Sequence, residues 1–149
     1  MNWKYNNKNI TDISQFPPNT FGFIYKITHL PSQKSYIGKK VLFYNKKIKL
    51  TKSELKLYEG IRGRKPTHKH ILKESDWKTY WGSSKPLLEI VESEPHSNFE
   101  KVILQLAPNK KLLTYYETKH LFQNCVLENP DKFFNDSILG SFYTKDFEV

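Results

Sequence analysis

From Phe21 to Ile27 the chain is aromatic or β-branched apart from Gly22 and Lys26, with no helical spacing, which predicts a strand. Pro31-Ser32-Gln33 interrupts it and a second run of the same kind, Ser35 to Tyr44, follows, so the two predict a hairpin. The pattern then changes. Asn45 to Lys52 is dense in lysine, and Thr51-Lys52-Ser53-Glu54 has the form of a capping box, predicting a short helix from Lys52 to about Glu59. Two glycines and a proline make Gly60-Ile61-Arg62-Gly63-Arg64-Lys65-Pro66 a loop. Glu74 to Trp81 reads as helical, and Gly82-Ser83-Ser84 breaks it. Ser84 is positioned to cap a helix through Leu87, Leu88 and Val91, with Pro86 tolerated in its first turn. Asn98 to Leu106 predicts a third strand. Asn109 caps the longest helix, in which Leu112, Leu113, Tyr116, Leu121 and Val126 recur near helical spacing to about Glu128, before Pro130.

That order predicts a small α/β (α+β) domain: a central, mostly antiparallel three-stranded sheet flanked by helices. Residues 1–20 are polar and Asn-rich and read as an N-terminal arm. Residues 21–149 form the domain, with a lysine-rich insertion near 45–66. A length of 149 residues suits one domain with a real core. The class alone names no function.

Charge narrows the partners. There are 24 Lys and Arg against 15 acidic residues, a formal net charge of +9, and 15% of residues are aromatic. Basic charge attracts phosphates and aromatic rings stack on bases, so nucleic acid is the first candidate partner. A lysine-favouring codon bias produces the same composition, so charge alone decides little. Cys125 is the only cysteine, which excludes an intramolecular disulfide and a multi-cysteine zinc site and points to a reducing, cytoplasmic setting. No run approaches the roughly 18 apolar residues of a membrane span.

Chemistry concentrates on the hairpin. Gly22-Phe23-Ile24-Tyr25-Lys26-Ile27-Thr28 followed by Lys34-Ser35-Tyr36-Ile37-Gly38-Lys39-Lys40 resembles the paired signature of the GIY-YIG nuclease superfamily, with one residue inserted in the first half. The resemblance implies that Tyr25 acts as general base toward the attacking water. A free phenol has a pKa of about 10, so nearby positive charge must favour the phenolate, and Lys34 on the partner strand is the candidate. Tyr36 then hydrogen-bonds a phosphate oxygen or orders the water, and Gly38 permits close approach.

A cation must stabilise the phosphoryl oxygens, and guanidinium geometry suits this best. In the family an arginine follows the second motif by about ten residues. Here that window holds only lysines, and the chain's only arginines are Arg62 and Arg64. Three readings stay open: Arg64 or Arg62 re-enters the site from its loop, either binds DNA backbone elsewhere, or Lys39 and Lys40 substitute. His68 is a secondary catalytic candidate. With His70 it raises the question of a metal pair, but no third ligand accompanies them.

The family also places a glutamate on its late helix, and Leu113-Thr114-Tyr115-Tyr116-Glu117-Thr118-Lys119-His120-Leu121 matches. Glu117 lies four residues from both Leu113 and Leu121, on an inward stripe. The resemblance makes it the ligand of Mg²⁺ or Mn²⁺, hard ions that oxygen donors suit. Phe133-Phe134-Asn135 resembles the element that closes the fold, where Asn135 orients the glutamate, contacts phosphate or simply makes a turn. In Ser75-Asp76-Trp77-Lys78-Thr79-Tyr80-Trp81-Gly82-Ser83-Ser84, Ser83 is a phosphate-binding candidate, and the tryptophans are either stacking platforms or core. The segment resembles one in phage-encoded members.

Together these features imply a metal-dependent DNA endonuclease, homing-type and from a phage or mobile element, working in the host cytoplasm. The alternatives are a nucleic-acid-binding module that lost catalysis and a nuclease for restriction or attack on competing genomes. A homodimer would place two sites on two strands, which the sequence leaves open.

Overall fold

The computed structural model describes residues 1–148. In chain order the strands and α-helices are β1 (Trp3–Tyr5), β2 (Lys8–Ile10), β3 (Gly22–His29), β4 (Lys34–Val41), β5 (Phe43–Lys49), α1 (Lys52–Lys56), β6 (His68–Glu74), α2 (Lys85–Ser93), β7 (Phe99–Ala107), α3 (Lys110–Gln123), β8 (Ser137–Ile138) and β9 (Phe142–Tyr143). They fall into two units. One is Met1–Leu42 with the chain from Asp76 onward, and the other is Phe43–Ser75.

The first unit is built on a sheet of order β2-β1-β7-β3-β4. β3 pairs antiparallel with both β4 and β7 and is covered on both faces, which accounts for its nearly unbroken apolar sequence. On one face Ile24 and Ile37 pack with Ala107, Leu113, Leu121, Val126, Leu127 and Ile138. On the other, Phe23 and Tyr25 meet Trp3, with ring centroids 5.1 and 5.2 Å away.

The sheet has five strands, not three. The Asn-rich start of the chain is not an arm: Asn6 and Asn7 adopt φ of 50° and 64°, the left-handed conformation a two-residue hairpin requires, and β1 and β2 pair around them. The asparagines are the turn. β1 then joins β7 in parallel and delivers Trp3, fully buried, whose Nε1 donates to the Trp77 carbonyl at 2.6 Å.

That contact also overrides the helix expected from Glu74 to Trp81. β6 runs to Glu74, and only a 3-10 turn, Trp77–Thr79, remains, because the buried Trp77 packs edge-on against Phe16 and Phe23. Both the Ser84 cap of α2 and the Asn109 cap of α3 are present. α3 stops at Gln123, short of Glu128, where Cys125 turns left-handed with φ of 51°.

The second unit exceeds the expected insertion. The Thr51 capping box forms and starts α1. The lysine-rich stretch before it is a strand, β5, paired antiparallel with β6 from Phe43↔Glu74 to Lys49↔His68. The loop expected over 60–66 lies between α1 and β6.

One buried group in the first unit escaped the sequence reading. Lys101 on β7 is 1% exposed, and its Nζ has no hydrogen-bond partner, lying 4.1 Å from the Trp3 ring and 4.4 Å from the Trp81 ring. Burial lowers its pKa to about 8, while the two indole faces favour the charged form. Because the folded pKa is below the unfolded value of 10.5, the unfolded chain holds more protons between them. Folding stability therefore rises from pH 8 to 10.5, by up to about 3 kcal/mol. In Lys101→Met, urea denaturation across that range should lose this rise, and the variant should be more stable than the parent at pH 7.

Candidate active site

A tight turn sets the register of the β3–β4 hairpin. His29 Nδ1 and Ser32 Oγ are 2.7 Å apart, and Gln33 takes a φ of 58°. The register pairs Tyr25 with Gly38 and Ile27 with Tyr36. Facing residues of an antiparallel pair share a side, so Tyr25, Tyr36, Gly38 and Lys40 lie on one face, and Lys39, opposite Ile24, on the other. The Tyr25 and Tyr36 ring centroids are 6.2 Å apart. Pairing of β3 with β7 slips between Ile24 and Tyr25, a bulge beside the site.

Gly38 makes room for the phenol itself. A Cβ there would lie 2.5 Å from the Tyr25 hydroxyl oxygen, which no packed side chain tolerates. Gly82, with φ of +88°, approaches the same oxygen, its Cβ position being 3.2 Å away. Tyr80 completes the enclosure edge-on to Tyr25 at 5.9 Å. Burial pushes the Tyr25 phenol well above its ordinary pKa, and Tyr36, Tyr80 and Glu117 push it further up. Tyr36 is likewise raised, first by burial, although its 2.9 Å hydrogen bond with Ser83 Oγ opposes this.

Glu117 projects from α3 between the buried Leu113 and Leu121, as its spacing predicts, with a side chain only 21% exposed. Burial raises its pKa, and Lys39, whose Nζ is 4.0 Å from the carboxylate, counters in part. Lys39 also donates to Thr114 Oγ1 at 3.0 Å. Glu117 raises both phenols through its charge, so the carboxylate lies within electrostatic reach of the tyrosines on the opposite face of the sheet.

Asn135 decides where that outer side is covered. Residues 132–135 run alongside β4: Ser35 N–H donates to the Lys132 carbonyl, and Phe134 N–H donates to the Ser35 carbonyl. The buried Asn135 amide then takes both backbone groups of Ile37, accepting from N–H at 3.0 Å and donating to the carbonyl at 2.8 Å. Its amide is therefore occupied in holding the Tyr36-Ile37-Gly38 strand. Beside this clamp a cavity of about 310 Å³ is bordered by Tyr36, Ser83, Lys85, Phe134 and Asp136.

Other expected residues are placed elsewhere. Lys34 does not activate Tyr25: it pairs with His29, four positions along β4 from Gly38, or about 14 Å, and its Nζ sits over the Phe134 ring at 4.8 Å. Burial, with Tyr36, Tyr80 and Glu117 beside it, favours the protonated form of Tyr25. Lys40 is held by Asp76 at 2.5 Å and lies 4.0 Å above the Tyr80 ring. Arg62, Arg64 and His68 belong to the second unit, where both arginines are exposed and His68 Nδ1 lies 2.8 Å from Thr67 Oγ1. Trp77 is core, and Trp81 packs on Phe99 and His96. The sequence reading missed Tyr80, Gly82 and Thr114. Tyr80 and Gly82 lie within the aromatic-Gly-Ser segment it had singled out.

The donor set fits a hydrated hard ion. Among the described residues no three His, Cys, Asp or Glu cluster, so no set of three such ligands surrounds Glu117. A single carboxylate, waters and a substrate phosphate are what Mg²⁺ or Mn²⁺ accept, whereas zinc prefers three or four protein ligands. The partial burial of Glu117 beside one lysine leaves it under-compensated, which a bound cation would relieve.

Residues 3–138 match the family model described as "Putative endonuclease segE, GIY-YIG domain". No curated protein and no solved structure matches the chain. Among the described residues, no helix is long and apolar enough to cross a membrane.

Two substitutions test the architecture. Asn135→Ala should lower stability by about 2 kcal/mol in urea denaturation, because it strips two buried backbone groups of their partners. Gly38→Ala should lower the melting temperature and abolish the Tyr25–Gly38 register, read as changed amide exchange along β4.

Proposed function

The chain belongs to the GIY-YIG endonuclease family and is a phosphodiester-hydrolysing nuclease domain, and we propose that it cuts DNA with the help of a divalent cation held by Glu117. The convergence of Glu117 and Lys39 with the Tyr25–Tyr36 pair carries this reading. Family members generally depend on divalent metal. When bound, Mg²⁺ or Mn²⁺ would neutralise charge on the phosphate and the leaving oxygen.

The remaining steps fall to the chain's own side chains. The Tyr25 hydroxyl, hydrogen-bonded with Tyr80, accepts a hydrogen bond from the attacking water and orients it, and the water's proton passes to solvent as the new P–O bond forms and the bond to the leaving oxygen breaks. Tyr36 and Ser83, already 2.9 Å apart, donate to a phosphate oxygen. Lys39 takes the part at the reacting phosphate that resemblance gives to an arginine, being the ammonium nearest Glu117. Gly38 and Gly82 give the Tyr25 hydroxyl the room that a side chain at either position would take.

Likeness of the segment around Trp77–Ser84 to phage-encoded members supports a homing-type enzyme of a phage or mobile element, acting in the host cytoplasm. One site nicks a strand, and a homodimer cuts both. The same gel separates these outcomes.

With supercoiled plasmid and Mg²⁺, the parent chain should nick or linearise DNA, and chelator should stop it. Glu117→Gln and Tyr25→Phe should each lose at least about 100-fold in rate, and Lys39→Ala about as much. Retained DNA binding without cleavage in Mg²⁺ or Mn²⁺ would instead identify a binding module that has lost catalysis.

The raised pKa of Glu117 adds a control. Its folded value lies above the unfolded one, so stability from this group is present at low pH and lost as pH rises through the folded value. Glu117→Gln should therefore melt higher than the parent at pH 7 while being inactive, which separates lost chemistry from lost folding.

A further inference from the structure

Charge is distributed unevenly between the two units. Phe43–Ser75 holds eight lysines and both arginines against Glu54, Glu59 and Glu74, a net +7 of the chain's +9. The much longer first unit is left with +2. None of residues 43–75 is buried, so this unit encloses no core of its own. A two-stranded hairpin without a core is marginal by itself. Neither packing nor stability explains why 33 residues carry most of the charge.

Register sorts that charge. Lys47 faces His70 and Lys49 faces His68, so these four share one side of the ribbon. The loop before β6 adds Arg64 and Lys65, which with Lys47, His68 and His70 border an open cavity of about 340 Å³. No carboxylate borders it. Glu54 is engaged with Lys69 at 2.6 Å, and Lys69 faces Ile48 on the opposite side of the ribbon. Glu74 lies at the far end, opposite Phe43.

We propose that the hairpin unit 43–75 is a duplex-DNA-binding element whose Lys47, Lys49, Arg64, Lys65, His68 and His70 side grips backbone phosphates. Arg64 presents a planar fork suited to two phosphate oxygens, while the lysines act as mobile point charges. A two-stranded β-ribbon is narrow enough to lie along a duplex major groove, with phosphates on either side. Self-association through this face is opposed by +7 on each copy. The inference rests on the nuclease reading for its substrate, but its test does not need cleavage.

The experiment measures fluorescence anisotropy of a labelled 30-base-pair duplex with the full chain in EDTA, from 50 to 200 mM NaCl. Lys47→Gln/Lys49→Gln/Lys65→Gln is compared with the parent and with the control Lys4→Gln/Lys8→Gln/Lys111→Gln. All six side chains are exposed, and circular dichroism checks that each variant remains folded. Each lost phosphate contact reduces the salt slope by about 0.9, so the hairpin variant should lose roughly 2 to 3 in slope and bind at least about 10-fold more weakly at 100 mM, equally on two unrelated sequences. The control should change less than about twofold. Equal losses in hairpin and control variants, or an unchanged slope in the hairpin variant, overturn the proposal. So does a loss seen with single strands but not with duplex. If the parent chain cuts nothing in Mg²⁺ yet the hairpin effect holds, the nuclease reading fails and this one stands. If cutting is intact and the slope does not move, the reverse is true.

Discussion

The hydroxyl oxygen of Tyr25 lies 2.5 Å from where a Cβ of residue 38 would be. That single exclusion links sequence, sheet and site. Glycine is the only residue that lets β4 pair in register at this point, and the pairing is what brings Tyr36 beside Tyr25. Gly82, from a different part of the chain, closes on the same oxygen. The phenol is therefore enclosed by backbone, which is stiffer than side chains and less able to rearrange when substrate arrives.

Enclosure decides the chemistry of that oxygen. A phenolate at this position would need a cation, and Lys34 is spent over Phe134 at the turn end of the hairpin. Burial, Tyr36, Tyr80 and the Glu117 carboxylate instead favour the protonated form. The same partial burial leaves Glu117 short of compensation and makes it the group most in need of positive charge. One region of low solvation thus produces a neutral hydrogen-bonding phenol and an under-compensated carboxylate from two side chains on different faces of the sheet.

Charge is divided unevenly between the two units. The first unit, nearly neutral for its length, uses burial to tune a few groups. The hairpin unit buries nothing and carries most of the charge. Long-range attraction to phosphate needs exposed cations, whereas tuning an acid or a phenol needs their exclusion from water. The two demands conflict within one surface.

The sequence by itself determined the features that depend on neighbours along the chain. The β3–β4 hairpin, the caps at Thr51, Ser84 and Asn109, and the inward placement of Glu117 follow from turn chemistry and periodicity, and the paired tyrosine motifs named the family before any coordinates. Tertiary structure decided what depends on distant residues. The Asn-rich start joined the sheet because Trp3 has a buried partner in Trp77, 74 residues away. Trp77 left the expected helix for the same contact. Tyr80 and Gly82 reached Tyr25, and Asn135 reached Ile37, across gaps that periodicity cannot span. The arginines were legible as residues but not as positions. Where a chain folds back on itself, local pattern gives the shape of each segment, and only the sum of burial and long-range hydrogen bonds selects which segments meet.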